Sequence, residues 1–167
     1  MTIAARFQGD VVVTGRLIPQ SFTAPADSVN DASIPALAAI DADKLEHRYA
    51  CVYSQVATAD AAVDRRIVHV VDGDTGTIES FAAGSRVVAG ATTTVVVDLL
   101  KNGTTVLSGT ITLDDTNTNY VLEDAPGFTS TALVQGDVLE VRVVSVTGTN
   151  EPVGLFARLV VTERITS

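Results

Sequence analysis

The sequence has no tryptophan, one cysteine and few aromatic residues. Of its 167 residues, 46% are hydrophobic but only 5% are aromatic. A packed core is therefore expected to consist mainly of Val, Leu, Ile and Ala, which suit the pleated surface of strands better than a pocket for a flat ligand. Cys51 has no second cysteine to pair with. This count excludes an internal disulfide as a source of stability.

Two kinds of hydrophobic segment are also missing. The first ten residues, MTIAARFQGD, lack the basic start and apolar run of a signal peptide. No stretch approaches the roughly 18 consecutive apolar residues of a transmembrane helix. We therefore expect a protein that is made in the cytoplasm and does not bind a membrane.

Positive charge is scarce as well. The chain has 11 Lys and Arg against 20 Asp and Glu, for a net charge of −9. An acidic surface repels phosphate backbones, which predicts that the protein does not bind nucleic acid.

From Arg65 onward, strand-like segments follow one another with turns between them. The clearest unit has strands at residues 93–100 and 104–113 around the tight turn that Asn102-Gly103 predicts. Further strands are predicted at residues 67–71, 77–82, 137–147 and 153–165. Near the middle of residues 137–147, Leu139, Val141 and Val143 alternate with polar side chains, as in a strand buried on one face. Residues 65–167 are therefore predicted to form an all-β, antiparallel, jelly-roll-like β-sandwich.

Residues 1–64 differ from this pattern and are predicted to form an extended N-terminal arm. Proline is spread through small polar residues here, apolar residues are sparse, and residues 10–18 predict one strand. Asp41 can cap a short helix over residues 42–48, near the larger apolar residues Leu37, Ile40 and Leu45. A helix of two turns is not stable alone in water. It would dock on its own β-domain, on a sister subunit or on a different protein.

Two segments resemble those of bacteriophage virion proteins. VNDASIPALAAIDADKLEH is similar to an N-terminal pattern of fibre, head-fibre and capsid-decoration proteins. VDLLKNGTTVLSGTITL followed by LVQGDVLEVRV resembles their β-sandwich modules, in which a K-N-G hairpin precedes a G-D-x-L-x-V strand. In the first segment the matching residues are Asn30, Asp31, Ala32, Ile34, Ala38, Ala39, Ile40, Lys44 and Leu45.

The resemblance implies a member of the bacteriophage capsid decoration (cement) or head-fibre family. Such a structural protein is made in the host cytoplasm, forms a homotrimer and binds the major capsid protein on the outer surface of the virion. Its N-terminal part would provide the attachment, with Leu37, Ile40, Lys44 and Leu45 as docking residues. The chain has no internal repeat of the kind that long fibre shafts carry, which favours a compact decoration protein.

Candidate metal ligands are few. Residues 71–76, VDGDTG, could offer oxygens to a cation, but they lack the spacing and final Glu of a calcium loop and are typical of a tight turn. His47 and Cys51 are four residues apart, and two ligands do not make a zinc site. His69 stands alone in a predicted strand, and Cys51 is expected to be a buried, inert thiol. We expect no metal and no cofactor.

Motifs of catalysis are missing too, since the chain has no G-x-S-x-G elbow, P-loop or H-E-x-x-H. We therefore expect that the protein is not an enzyme, and a sandwich-fold hydrolase is the least supported class. The alternative to a decoration protein is a carbohydrate- or receptor-binding module of a phage fibre. Sugar sites usually stack rings on Trp or Tyr, and the chain offers only Tyr49, Tyr53 and Tyr120.

Overall fold

The structure is a computed structural model that describes residues 46–165. This part of the chain consists of strands and turns, and none of it forms a helix that could cross a membrane. The strands are β1 (Glu46–Ser54), β2 (Asp64–Val70), β3 (Thr75–Val87), β4 (Thr94–Lys101), β5 (Thr104–Thr105), β6 (Ile111–Leu113), β7 (Glu123–Asp124), β8 (Ala132–Val134), β9 (Val138–Thr147) and β10 (Val153–Arg164). The prediction of an all-β fold is confirmed for the described residues.

The strands form two sheets, and every pairing between them is antiparallel. The first sheet has the order β1-β10-β3-β7, with β8 also paired to β3. The second has the order β2-β9-β4-β5, with β6 also paired to β4. Consecutive strands β1 and β2 thus lie at the edges of different sheets. Their side chains meet, because the Tyr53 hydroxyl lies 3.1 Å from Asp64 Oδ2.

Side chains from both sheets share one hydrophobic core. Aliphatic residues dominate this core, as the scarcity of aromatic residues requires, and Phe81 is its largest fully buried side chain. On β9, Leu139, Val141 and Val143 are buried, while Glu140 and Arg142 between them are only partly covered. The predicted alternation is confirmed. Burying each side chain of this size contributes about 1.5–3 kcal/mol to folding.

The hairpin between β4 and β5 has the predicted tight turn. Asn102 and Gly103 have φ values of 50° and 83°, the left-handed conformation that this turn requires. The strand predicted over residues 104–113 is interrupted, however, because only β5 and β6 pair with β4. Between them Val106 and Leu107 are both buried, and Leu107 forms a bridge with Phe128. Pairing with the segment around Phe128 therefore takes over after Val106, whose N–H still donates to the Leu99 carbonyl at 3.0 Å.

The largest correction concerns residues 46–54, which were predicted to lie in the arm. They form β1, whose residues pair one by one with β10 from Glu46–Arg164 to Ser54–Phe156. The helix predicted over residues 42–48 is wrong for its last three residues, and residues 42–45 lie outside the described range. The reason is that alternate side chains of a strand beside β10 point toward the core, which buries Tyr53 and half-buries Cys51.

Candidate functional site

Three loops meet at Asp137, a residue that is 6% exposed. Its Oδ1 accepts a hydrogen bond from Asn102 Nδ2 at 2.6 Å, and its Oδ2 accepts one from the Val134 N–H at 3.0 Å. Lys101 Nζ lies 3.6 Å from Oδ2. Burial by itself raises the pKa of Asp137, but these hydrogen bonds and the Lys101 charge outweigh it, so the pKa lies below its ordinary value. The group is therefore ionised at neutral pH.

Asn102 connects the β4–β5 turn to the start of β9 by two further hydrogen bonds. Its backbone N–H donates to the Val138 carbonyl at 2.9 Å, and the Val138 N–H donates to Asn102 Oδ1 at 2.8 Å. These residues belong to the two sequence motifs K-N-G and G-D-x-L-x-V. Sequence order alone could not show that the motifs are in contact, and the structure places them side by side.

The loop between β2 and β3 joins this cluster through its backbone. The Val71 N–H donates to the Asp137 carbonyl at 2.9 Å, and the Gly136 N–H donates to the Val71 carbonyl at 2.9 Å. Gln135 Nε2 donates to the Asp72 carbonyl at 3.1 Å. Within residues 46–165 no group of three or more His, Cys, Asp or Glu side chains could hold a metal ion. In the structure VDGDTG includes a bend between β2 and β3, and its backbone hydrogen bonds run to residues of other segments.

Glu163, near the end of β10, holds the other side of the same loop. It is 3% exposed, and its Oε1 is hydrogen-bonded to Nε2 of His69 on β2. Its Oε2 accepts hydrogen bonds from the backbone N–H groups of Asp72 at 3.1 Å and Gly73 at 2.8 Å. Burial raises the pKa of Glu163. The hydrogen bonds with His69 and with the backbone lower this pKa by more than burial raises it, so the net shift is downward. One carboxylate thus ties the first sheet to the second.

The sulfur of Cys51 lies on β1 in the neighbourhood of Glu163. Burial raises the pKa of the Cys51 thiol, and the negative charge of Glu163 raises it further. The thiolate is the nucleophilic form, so this environment disfavours a reactive cysteine. The side chain is half-buried rather than fully buried as predicted. Beside it, the Tyr49 ring lies 6.4 Å from the His47 ring and 5.4 Å from the His69 ring, measured between centroids.

A third buried acid, Asp98, was not singled out by the sequence. Asp98 on β4 is 1% exposed and accepts hydrogen bonds from Thr105 Oγ1 at 2.7 Å and Arg142 Nη2 at 2.8 Å. The sequence did contain a signal for this ion pair. Asp98 is the one acid inside the apolar run VVVDLL, and a charge buried in such a run needs a partner. This arrangement is an ion pair between neighbouring strands, in which Asp98 is buried and the Arg142 side chain is 39% exposed.

The predicted docking residues Leu37, Ile40, Lys44 and Leu45 all lie outside the described residues. The structure therefore brings together only the motif residues of the β-rich part. The chain matches no model of a known protein family, and a search of curated proteins finds no match either.

Proposed function

We propose that this protein is a structural component of a bacteriophage virion, which binds the outer capsid surface as a decoration, or cement, protein. The observation that supports this most is the contact between Asn102 and Val138. It joins into one hydrogen-bonded unit the two motifs that resemble the β-sandwich modules of decoration and fibre proteins. A random co-occurrence of two short motifs would not require them to be neighbours in space.

In this proposal the two sheets are a jelly-roll-like β-sandwich, and the N-terminal arm provides attachment. The partner is the major capsid protein, and the protein acts as a homotrimer. No catalytic step is assigned to it. A protein that binds only the assembled shell shifts the equilibrium of the shell away from rupture by mass action.

Attachment is assigned to Leu37, Ile40, Lys44 and Leu45. Burying the three apolar side chains of this set contributes about 5 kcal/mol before the cost of ordering the segment. Lys44 adds a positive charge to an otherwise acidic chain.

A sedimentation experiment tests the assignment. The full chain and a variant with Ile40→Asp and Leu45→Asp are mixed with undecorated capsids of the phage that encodes the protein, and the capsids are pelleted. The wild type should co-sediment and the double variant should stay in the supernatant. A matched control is Val144→Asp on β9, whose side chain is exposed, and this variant should co-sediment. Equal co-sedimentation of the double variant would place the attachment surface elsewhere.

The strongest observation for the alternative, a carbohydrate-binding module of a fibre, is Tyr120. Its side chain is 66% exposed, and its φ of 62° is uncommon for a bulky residue. Strain of this kind is often kept at binding sites, and an exposed ring is the group on which sugars stack. A glycan array probed with the wild type and with Tyr120→Ala separates the two functions. Binding that disappears in the variant would favour the carbohydrate-binding module.

A further inference from the structure

The longest edge strand of the described fold is β1, and nothing in its sequence protects that edge. It has nine residues, contains no proline, and pairs with β10 in one continuous register. Natural proteins protect edge strands by making them short or by interrupting them with bulges. The other edges of the two sheets follow this rule, since β5, β6, β7 and β8 have two or three residues each and the register of β2 shifts between Ile67 and His69. β1 is the exception, so a partner strand is expected beside it.

The open edge of β1 presents hydrogen-bonding groups at alternate residues. The Gln55 N–H donates to the Leu155 carbonyl at 2.9 Å, which makes these two residues a hydrogen-bonded pair that continues the β1–β10 ladder. Hydrogen-bonded and non-hydrogen-bonded pairs alternate in an antiparallel ladder, so the even-numbered residues of β1 direct their N–H and C=O groups away from β10. Those in the middle of the strand are Arg48, Ala50 and Val52. Within residues 46–165, no strand lies on this side of β1.

The side chains of β1 show that the hydrophobic core is incomplete at this edge. Odd-numbered residues face the core, where Tyr53 is buried and Cys51 is half-buried, but Tyr49 is still 41% exposed. Val52, on the opposite face of the sheet, is 68% exposed. A strand beside β1 would cover both kinds of residue, because its side chains also alternate between the two faces.

The chain itself contains a segment that fits this position. Residues 10–18, DVVVTGRLI, are predicted to form a strand of the same length as β1. Their odd positions carry no charge, whereas Asp10 and Arg16 both fall on even positions. The odd positions therefore suit the core side of the sheet, and the even positions suit the solvent side. The residues on the core side would be Val11, Val13, Gly15 and Leu17.

Covalent linkage makes this segment a better partner for β1 than a separate chain. Residues 19–45 connect it to β1, and a connection of that length reaches well beyond the roughly 30 Å that β1 spans at about 3.3 Å per residue. A partner tethered in this way has an effective concentration near the millimolar range, so it occupies the edge before a second copy at micromolar concentration does.

We propose that residues 10–18 of the same chain bind the open edge of β1 as an additional antiparallel strand of the first sheet. The direction follows that of every other pairing in the two sheets. The apolar odd positions then pack over Tyr49 and Cys51, and the backbone of the even positions, such as Val12, bonds to β1. The inference concerns the fold alone and does not depend on attachment to a capsid.

Exchange of individual backbone amides with deuterated water, followed by NMR on the full chain, tests this pairing. In the wild type the amides of Arg48, Ala50 and Val52 should be protected. Val12→Pro removes an N–H that bonds to β1, so these three amides should exchange about tenfold faster or more. The matched control is Val13→Pro, which removes the neighbouring N–H on the side away from β1. Proline is tolerated at such edge positions, so this variant should keep most of the protection.

Cys51, the one cysteine of the chain, gives a second measurement. Because the additional strand covers the core side of β1, a thiol reagent should modify Cys51 about tenfold faster in Val12→Pro than in Val13→Pro. The proposal is overturned if the three amides exchange as fast in the wild type as in Val12→Pro, or if the two proline variants behave alike in both measurements. Protection that rises with protein concentration would also overturn it, because the strand would then come from a second copy. No capsid takes part, so failure here leaves the co-sedimentation result unaffected.

Discussion

Replacing Glu163 by Gln tests whether one ionised carboxylate joins the two sheets. The substitution keeps the size of the side chain and one oxygen that can accept from the Asp72 and Gly73 N–H groups. It removes the charge that strengthens those bonds and the bond with His69. Hydrogen bonds to charged groups contribute about 1.5–3 kcal/mol each, against about 0.5–1.5 for neutral pairs. We therefore expect Glu163→Gln to lower the free energy of unfolding by about 1–3 kcal/mol at neutral pH.

The pH dependence of this loss follows from the direction of the pKa shift. Because the pKa of Glu163 is lower in the folded protein than in the unfolded chain, its contribution is present above the unfolded value of about 4.3. It is lost as the pH falls through the folded value, where the carboxylate becomes protonated in both states. The difference in stability between wild type and Glu163→Gln should thus shrink on acidification below about pH 4.

Urea unfolding followed by far-ultraviolet circular dichroism measures both effects. The matched control is Glu46→Gln, because Glu46 forms an ion pair with Arg164 on the same sheet but is about half exposed. A surface ion pair contributes at most about 1 kcal/mol, so this variant should unfold close to the wild type. If Glu163→Gln has the wild-type urea midpoint at neutral pH, or if its deficit does not shrink below about pH 4, the charge of Glu163 does not stabilise the contact between the sheets.

The same structure predicts the outcome of substitutions at Asn102 and Asp98 and of a thiol reaction at Cys51. Asn102→Ala should lower the free energy of unfolding by about 1–3 kcal/mol, since it removes two side-chain hydrogen bonds and strains a left-handed φ. Asn102→Gly keeps the turn, so its melting temperature in a thermal melt should fall less than that of Asn102→Ala. Asp98→Ala should lower the free energy of unfolding by about 1–3 kcal/mol in urea, because it removes the hydrogen bonds with Thr105 and Arg142. A loss below that of Glu46→Gln would contradict a stabilising role for Asp98. Cys51 should react with a thiol reagent at neutral pH far more slowly in the folded protein than in urea, because its pKa is raised, and equal rates would refute this.

Some parts of the fold could be predicted from residues that are neighbours in the sequence. The Asn102-Gly103 turn follows from the φ values that these two residues tolerate, and the buried face of β9 follows from strict alternation of apolar residues. β1 lacked such a signal, since EHRYACVYS begins with charged residues and its side chains are mostly exposed. It is a strand because it pairs with β10, which lies more than about a hundred residues further along the chain. No window of neighbouring residues contains that partner.

The buried acids show the same limit at the candidate site. Glu163 lies 94 residues from His69 and Asp98 lies 44 from Arg142, so their partners could not be assigned from spacing. Burying a carboxylate is favourable only when such partners are in place. The Asp137 carbonyl, in the turn before β9, and the Glu163 carboxylate, on β10, both accept hydrogen bonds from the backbone of the loop after β2, at Val71, Asp72 and Gly73. That loop is therefore held from two directions, which suits a rigid scaffold rather than a lid that must open.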